Sequence, residues 1–306
     1  MYDGGFMEKK INGTFVSEVL YDELIKYLES KGVDRPGLKI ISVGSDKASE
    51  LYGKMKKKKL TEKLGFLVDS EHFDEISLND LLIEIAKANT DEHYDGLMIQ
   101  LPLPEGLREH EREILDYIFT RKDVDGLTSG SLGKLAVSAD TLEACTPKGI
   151  ITLLKVYDID LIGKNVCIIN RSNIVGKPML HMFLKEDATP VICHSKTDGL
   201  KSITRNADIL VVACNKQEMI DEDYIKDGAI VIDVGVHKNS EGKTVGDVDY
   251  DSCYEKSSLI TPPVGGVGPM TICMLAYNVA KAKYGLEVND VLKQGIEKAK
   301  QLVKSK

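Results

Sequence analysis

Residues 164–197 most strongly constrain how this chain folds. Asn165–Ile169 is a short apolar run that contains β-branched residues, and a polar loop follows it. Residues 178–185 show apolar positions at helical spacing, and residues 188–194 again have the composition of a strand. Parallel strands need a crossover helix between them, so this order predicts a βαβ unit. We therefore expect an α/β protein with a Rossmann-like parallel sheet and helices on both of its faces.

The first loop of this unit is a candidate nucleotide site. A helix that begins near Gly176 would direct free backbone N–H groups and the positive end of its dipole toward the loop, where a pyrophosphate fits. Gly176 is the only glycine of the loop, so the usual Gly-x-Gly-x-x-Gly pattern is absent. The motif alone is therefore weak evidence for a bound dinucleotide.

The end of the second strand indicates which dinucleotide would bind. NAD-binding domains carry an Asp or Glu there for the ribose hydroxyls, whereas this chain has His194, Ser195 and Lys196. A 2′-phosphate would meet no carboxylate at this position, and Arg171 with Ser195 could bind it. We predict NADP rather than NAD. The alternative is that Arg171 and Lys196 are ordinary solvated loop charges.

Composition excludes several classes of protein. The chain has 306 residues, enough for two domains, and 48 acidic against 40 basic side chains give a net charge of −8. This balance argues against a nucleic-acid binder. No apolar run reaches membrane-spanning length, and the first residues have neither a signal-peptide nor a transit-peptide pattern. The six cysteines form no C-x-x-C pair, which is typical of buried thiols in a reducing cytoplasm.

A helix predicted around residues 49–65 carries the first chemically reactive group. Ser49, Tyr52 and Lys56 have a spacing that places them on one helical face. A Tyr and a Lys one turn apart are common by chance. The other lysines, residues 54 and 57–59, indicate either a solvated face or a surface that attracts an acidic substrate.

Polar side chains also follow a predicted buried strand, Gly96–Ile99. Gln100 ends this strand, at the edge where open α/β sheets bind ligands, or else it only caps a loop. Asp123 and Asp125 share a turn that ends at Gly126, and no third ligand accompanies them, so we predict no metal. Asp125 would then anchor a substrate or simply form the turn.

A loop of glycine and proline, residues 262–269, precedes a predicted helix over residues 270–283. Glycines allow the backbone to approach a ligand closely, and the helix start would add free N–H groups. The candidate substrate contacts in this loop are Pro262, Gly265 and Gly266.

Several of these segments occur together, and in this order, in one known family. The matching stretches are ASELYGKMK, DGLMIQLPLP, KDVDG, CTPKGIITLL, RSNIVGKPM, ATPVICHSKT, AIVIDVGV, GDVD and GGVGPMT. Along nearly its whole length the chain resembles the bifunctional methylenetetrahydrofolate dehydrogenase/cyclohydrolase family.

The resemblance implies an enzyme of one-carbon metabolism. It would oxidise 5,10-methylenetetrahydrofolate to the methenyl form with NADP and then hydrolyse that product to 10-formyltetrahydrofolate. Lys56 would be the central catalytic residue, and Gln100 would hold its amine and the attacking water. Tyr52 would pack on or hydrogen-bond the folate, and Asp125 would anchor the pterin ring. The cofactor-binding positions would be Asn170, Arg171, Ser172, Ile174, Val175, His194, Ser195 and Val236.

The resemblance also implies two domains that flank a cleft. Residues 1–148 and 269–306 would form the folate-binding domain, and residues 149–268 the NADP-binding domain. The implied partners are tetrahydrofolate derivatives, with or without polyglutamate tails, and a second copy of the chain bound through the nucleotide domain.

Two substitutions near the cofactor depart from the family pattern. Asn170 and Asn215 stand where the family has glycine. Asn adopts left-handed backbone angles more readily than most residues, so the fold can accommodate both. The changes leave two alternatives open: a dehydrogenase that lacks hydrolase activity or accepts NAD, or a non-catalytic paralogue that binds folate or nucleotide.

Overall fold

The computed structural model describes residues 9–45 and 47–305, with the backbone only for residues 47–52. These residues form two compact units. One contains Leu20–Cys145 and Ile272–Gly295, and we call it the three-stranded unit after its sheet. The other contains residues 9–19, Thr146–Thr271 and residues 296–305, and we call it the five-stranded unit. The domain boundaries expected from the sequence stay a prediction.

The three-stranded unit has a parallel sheet in the order β2-β1-β3. Its strands are β1 (Gly37–Val43), β2 (Leu67–Phe73) and β3 (Gly96–Ile99). β3 is buried throughout and matches its predicted bounds, whereas β2 was not predicted. β2 lies at the edge of the sheet, and its polar positions are largely exposed, so its sequence lacks the apolar run of a central strand.

The helices of this unit include the one that carries Lys56. They are α2 (Lys47–Lys58), which continues as a π-helical turn over Lys59–Lys63, then α3 (Leu78–Thr90), α4 (Glu105–Arg108), α5 (Glu111–Asp116), a 3-10 turn (Thr120–Lys122) and α6 (Ser129–Ala136). Buried side chains of the sheet pack with those of α3 and α5 in one hydrophobic core. That core fixes the carboxyl end of β3, where Gln100 follows.

The five-stranded unit confirms the predicted parallel sheet. Its order is β10-β7-β6-β4-β5, and every pair in it is parallel. The strands are β4 (Asn165–Ile169), β5 (Thr189–Cys193), β6 (Ile209–Val212), β7 (Ile230–Asp233) and β10 (Leu259–Ile260); β8 (His237–Lys238) and β9 (Thr244–Val245) form a separate antiparallel pair. β4 has the predicted bounds, because its apolar run is buried and its flanking residues are polar.

The remaining helices connect these strands or cross the division between the units. The short helices are α8 (Gly176–Lys185), α9 (Leu200–Thr204), a 3-10 turn (Glu222–Tyr224) and α10 (Tyr250–Tyr254). The division between the units falls within or at the first residue of four helices, α1 (Gly13–Ser30), α7 (Cys145–Val156), α11 (Val267–Tyr284) and α12 (Glu287–Lys304). None of the described helices is both long enough and apolar enough to cross a membrane.

Candidate active site and nucleotide pocket

Lys56 and Gln100 meet in the three-stranded unit. Lys56 lies on α2 and is only 5% exposed, although most of the neighbouring lysines on this helix are exposed. Its Nζ donates a hydrogen bond to Gln100 Oε1 at 3.2 Å. The Gln100 amide is itself oriented, because its Nε2 donates to the Leu101 carbonyl at 2.8 Å. Gln100 thus holds a loop carbonyl with one end of its amide and the Lys56 amine with the other.

A cavity of about 410 Å³ adjoins Gln100 at the ends of the strands. Gln100 and Pro102 contribute to its wall, and so do Ser42 of β1 and His72 of β2, which contact each other at 3.0 Å between Oγ and Nδ1. The exposed side of α2 contributes two lysines, Lys54 and Lys57. This cavity lies at the ends of parallel strands, which is where a ligand crevice is expected in an α/β sheet.

The two aspartates of the predicted turn have different environments. Asp123 is buried, and its carboxylate accepts the backbone N–H groups of Leu127 at 3.1 Å and Thr128 at 2.8 Å, so it is the residue that forms the turn. Burial raises the pKa of Asp125, while the positive charge of Lys56 and a hydrogen bond with Cys145 act to lower it. Asp125 is therefore coupled electrostatically to Lys56.

Tyr52 and Ser49 lie outside the residues whose side chains are described. The backbone of α2 is helical over Lys47–Lys58, which places Tyr52 and Lys56 one turn apart. Their shared face and the role of Tyr52 stay predictions.

Asn170 organises the first loop of the five-stranded unit. Its Oδ1 accepts hydrogen bonds from Ser172 N at 2.7 Å, Ser172 Oγ at 2.8 Å and Gly176 N at 2.9 Å. Its Nδ2 donates to the Ala213 carbonyl at 2.6 Å, which ties the loop to the end of β6. The Asn170 side chain therefore bonds both to its own loop and to the segment after β6.

These bonds correct one expectation about the start of α8. Gly176 N is bound to Asn170, and Lys177 N donates to the Ser172 carbonyl at 3.0 Å. The next residue, Pro178, has no N–H. The prediction of free N–H groups was therefore wrong for the first three residues of α8. The loop accepts the N–H groups of Gly176 and Lys177, and Pro178 has none to offer.

A cavity of about 450 Å³ brings together four of the predicted cofactor residues, Asn170, Arg171, His194 and Ser195. The turn after β5 leaves Ser195 exposed, since Thr197 N bonds the His194 carbonyl and Lys196 N donates to His194 Nδ1 at 3.1 Å. His194 Nδ1 is thus the acceptor of this hydrogen bond.

Four other predicted residues do not contribute to the wall of this cavity. They are Ser172, Ile174, Val175 and Val236. Ser172 Oγ accepts a hydrogen bond from Val175 N, and Val175 is buried at the start of α8. Ile174 and Val236 are exposed, 39% and 66% respectively. Their contact with a cofactor stays a prediction.

The charges of the cavity wall fit a phosphate-rich nucleotide. Its cations are Arg171 and Lys216, and no Asp or Glu is among the described residues that line it. Sequence reasoning missed Lys216. The segment after β6 drew attention only to Asn215, which has the left-handed φ of +55° that a glycine would favour.

The loop between β10 and α11 has a structural reason for its glycines. Gly265 has φ +80°, and its carbonyl accepts Thr14 N at 3.0 Å. A Cβ on Gly13 would lie 1.8 Å from the Gly266 carbonyl oxygen, so the two backbones approach too closely for side chains. Pro262 is buried in the same loop. Contacts of Pro262, Gly265 and Gly266 with substrate stay predictions.

No group of three His, Cys, Asp or Glu within the described ranges is placed to hold a metal ion.

Sequence analysis also missed a pair of buried aspartates in the five-stranded unit, Asp233 and Asp247. Burial raises the pKa of Asp233 to about 7, against the opposing effect of N–H groups from Gly235, Asp247 and Val248. Asp233 lies in the AIVIDVGV stretch and Asp247 in the GDVD stretch, and nothing in the sequence indicated that the two residues are in contact.

Comparison with known proteins identifies the family. The model of the tetrahydrofolate dehydrogenase/cyclohydrolase catalytic domain matches residues 9–125, and the model of the NAD(P)-binding domain of the same family matches residues 144–285. The chain belongs to the tetrahydrofolate dehydrogenase/cyclohydrolase family. This confirms the resemblance drawn from the motifs.

Individual members of the tetrahydrofolate dehydrogenase/cyclohydrolase family align over most of the chain. The bifunctional protein FolD of Agathobacter rectalis is 45% identical over 280 residues, covering 90% of this chain and 99% of that protein. The crystal structure of the bifunctional enzyme FolD from Campylobacter jejuni is 41% identical, with a TM-score of 0.84 over 89% of this chain and 97% of that one. A Trypanosoma brucei FolD structure, a complex with NADP and an inhibitor, is 31% identical, with a TM-score of 0.83 over 89% and 96%.

Proposed function

We propose that this chain is a bifunctional enzyme of one-carbon metabolism. It oxidises 5,10-methylenetetrahydrofolate to 5,10-methenyltetrahydrofolate with NADP, and it hydrolyses the methenyl product to 10-formyltetrahydrofolate. The observation that carries this proposal is the buried Lys56 amine, which Gln100 holds at 3.2 Å in a chain that belongs to this family.

Hydrolysis requires water to attack the methenyl carbon and lose a proton. We assign this proton transfer to Lys56 Nζ, which acts as the general base. Gln100 orients the amine and the water, because its own amide is fixed by Leu101. The hydroxyl group of the adduct then loses its proton and becomes the carbonyl as the bond from that carbon to N5 breaks. N5 takes up one proton, so the formyl group stays on N10 and one proton is released overall.

Substrate binding is assigned to the other residues that the sequence predicts to contact the folate. Asp125 accepts N–H bonds from the aminopyrimidine edge of the pterin, because a carboxylate matches two parallel donors. Tyr52 packs on or hydrogen-bonds the folate, and the loop with Pro262, Gly265 and Gly266 contacts the substrate through its backbone.

The cavity in the five-stranded unit binds the nucleotide. NADP, when bound, accepts the hydride that leaves the methylene carbon. Arg171 and Ser195 bind its 2′-phosphate, and a wall without carboxylates favours the extra charge of NADP over NAD. The chain's main contribution to this step is to position the two reacting carbons, since hydride transfer needs little acid–base help.

Two further expectations stay part of the proposal. The enzyme forms a homodimer through the nucleotide-binding domain, as the resemblance implies. It works in the cytoplasm, where a reducing environment keeps free thiols such as its six cysteines reduced. The oligomeric state is checked by light scattering of the purified protein.

A spectroscopic assay tests the two activities together. Purified protein receives methylenetetrahydrofolate and NADP, and NADPH and the methenyl product are followed at once. We expect NADPH to rise with little methenyl accumulation, and added methenyl substrate to be hydrolysed directly. Equal rise of both products would show a dehydrogenase alone, activity only with NAD would overturn the cofactor assignment, and ligand binding without turnover would identify a non-catalytic paralogue.

A further inference from the structure

The loop after β6 presents a cation to the nucleotide cavity. Lys216 is exposed and lines the cavity wall, as does Cys214 two residues before it. Arg171, the other cation of the wall, comes from the loop after β4. The cavity wall therefore carries positive charge from two different loops, whereas sequence reasoning assigned only one of them.

A single carboxylate holds the backbone of this loop. Asp247 is fully buried, and it accepts three consecutive N–H groups: Cys214 N at 2.7 Å and Asn215 N at 3.1 Å on Oδ2, and Lys216 N at 2.7 Å on Oδ1. The left-handed φ of Asn215 lets successive N–H groups converge on one anion, as in the backbone arrangements that bind phosphates. Here the anion is a side chain of the protein, so the loop conformation is set before any ligand arrives.

Asp247 is itself held from three sides. Its own N–H donates to Asp233 Oδ1 at 3.1 Å, and its Oδ1 contacts His237 Nε2 at 2.8 Å. A Cβ on Gly235 would lie 2.4 Å from Asp247 Cγ, so the backbone of the preceding loop packs directly on the carboxylate. Rotation of this side chain would break hydrogen bonds to three backbone positions at once.

We propose that Lys216 binds a phosphate group of the nucleotide and that Asp247 is the positioning residue that presents it. The inference rests on the proposed function only in that the ligand is a nucleotide. Hydrolysis of added methenyltetrahydrofolate needs no nucleotide. The same protein sample therefore reports both the nucleotide site and an activity that does not depend on it.

The direct test is the affinity of the full-length protein for NADPH, measured by the fluorescence of the bound nucleotide. Lys216→Gln should raise Kd by roughly 10-fold and leave methenyl hydrolysis unchanged, because it removes one charge-assisted contact from an exposed position. Lys196→Gln is the matched control, since it removes the same charge from a neighbouring turn but not from the cavity wall. A Kd within about 2-fold of wild type for Lys216→Gln would overturn the inference.

The positioning role is tested by a double-mutant cycle. Asp247→Asn should raise the Kd for NADPH by about as much as Lys216→Gln, and the double variant should lose little more, because the two residues act through one contact. Fully additive losses would refute the positioning role. Asp249→Asn is the control within the same GDVD stretch, because Asp249 caps α10 by accepting Ser252 N at 3.1 Å and should leave Kd unchanged.

A misfolded Asp247 variant would still leave the role testable. His237→Gln removes a side-chain partner of Asp247 and keeps the three N–H bonds, so it should raise Kd by about 2- to 3-fold with hydrolysis intact. When His237→Gln is added to the Lys216→Gln variant, it should cause no further rise in the Kd for NADPH. NADPH binding with these shifts but without any turnover would mean that the proposed function fails while the inference stands.

Discussion

Gln100 and Asn170 are both side-chain amides in candidate sites, and the structure uses them differently. Gln100 bonds one loop carbonyl and directs its oxygen to the buried Lys56 amine. All four hydrogen bonds of Asn170 go to its own loop and to the end of β6. The Gln100 amide is therefore oriented toward the Lys56 amine, whereas the Asn170 amide maintains the backbone conformation of its loop.

The same difference separates the two sites as a whole. In the three-stranded unit the Lys56 amine is buried and hydrogen-bonded to Gln100, and burial raises the pKa of Asp125 while the positive charge of Lys56 acts to lower it. In the five-stranded unit, Asn170 and Asp247 satisfy backbone donors, and the exposed side chains of the cavity wall are those of Arg171, Ser195 and Lys216. Substitutions in the first site should change rate, and substitutions in the second should change nucleotide affinity.

The largest expected effect is that of Lys56→Met. It should lower methenyl hydrolysis by about 1,000-fold or more, because it removes the proton acceptor, and leave the Kd for NADPH unchanged. The measurement is hydrolysis of added methenyltetrahydrofolate beside nucleotide fluorescence. Lys58→Met, an exposed change on the same helix, serves as control. Normal hydrolysis in the Lys56 variant would remove this amine from the mechanism.

Gln100→Leu should have the next largest effect. It removes the acceptor of the Lys56 amine and the donor to Leu101, so we expect roughly a 100-fold loss in kcat for hydrolysis. Steady-state kinetics on the methenyl substrate checks the loss. If KM rose instead with kcat unchanged, Gln100 would belong to substrate binding, and the contrast with Asn170 would disappear.

Arg171→Ala tests the nucleotide side. It should weaken NADP binding by about 1.5–3 kcal/mol, the range for a hydrogen bond to a charged group, and change NAD binding little. Competition between the two nucleotides gives both constants in one experiment. Equal losses would show that Arg171 does not bind the 2′-phosphate.

A pH profile tests the electrostatic pair. The Asp125 carboxylate accepts substrate donors only when ionised, and burial raises its pKa, so folate affinity should fall as pH drops through that raised pKa. We expect a loss of about 10-fold per pH unit below it, measured by inhibition with a folate analogue. Asp125→Asn should bind more weakly and lose this dependence. An unchanged profile in that variant would assign the acid limb to another group.

The smallest effect concerns Asn215, at φ +55°. Asn215→Ala should destabilise the protein by about 1–2 kcal/mol, because Ala tolerates left-handed angles poorly, whereas Asn215→Gly should stay close to wild type. Thermal unfolding of the three proteins compares them. Equal stability of the Ala and Gly variants would show that the loop relaxes and that the left-handed angle at residue 215 carries no strain.

Regular structure was largely predictable where burial produces a local pattern. β3 and β4 appear with their predicted bounds because apolar runs between polar residues mark buried parallel strands. β2 was missed because an edge strand with exposed polar positions has no such run. Candidate residues at the ends of strands were predictable for a related reason, since parallel strands bring their carboxyl ends to one edge.

The sequence by itself determined the α/β class, the family, the Lys56 and Gln100 pair and the absence of an acidic residue after β5, because each depends on local composition or on motifs in order. Only the tertiary structure decided what the polar side chains bind. Asn170 bonds Ala213 across 43 positions, and Asp247 bonds Cys214 across 33, and no local pattern reports such partners. The physical reason is that buried donors and acceptors must be satisfied, but the fold, not the neighbouring sequence, brings their partners into reach.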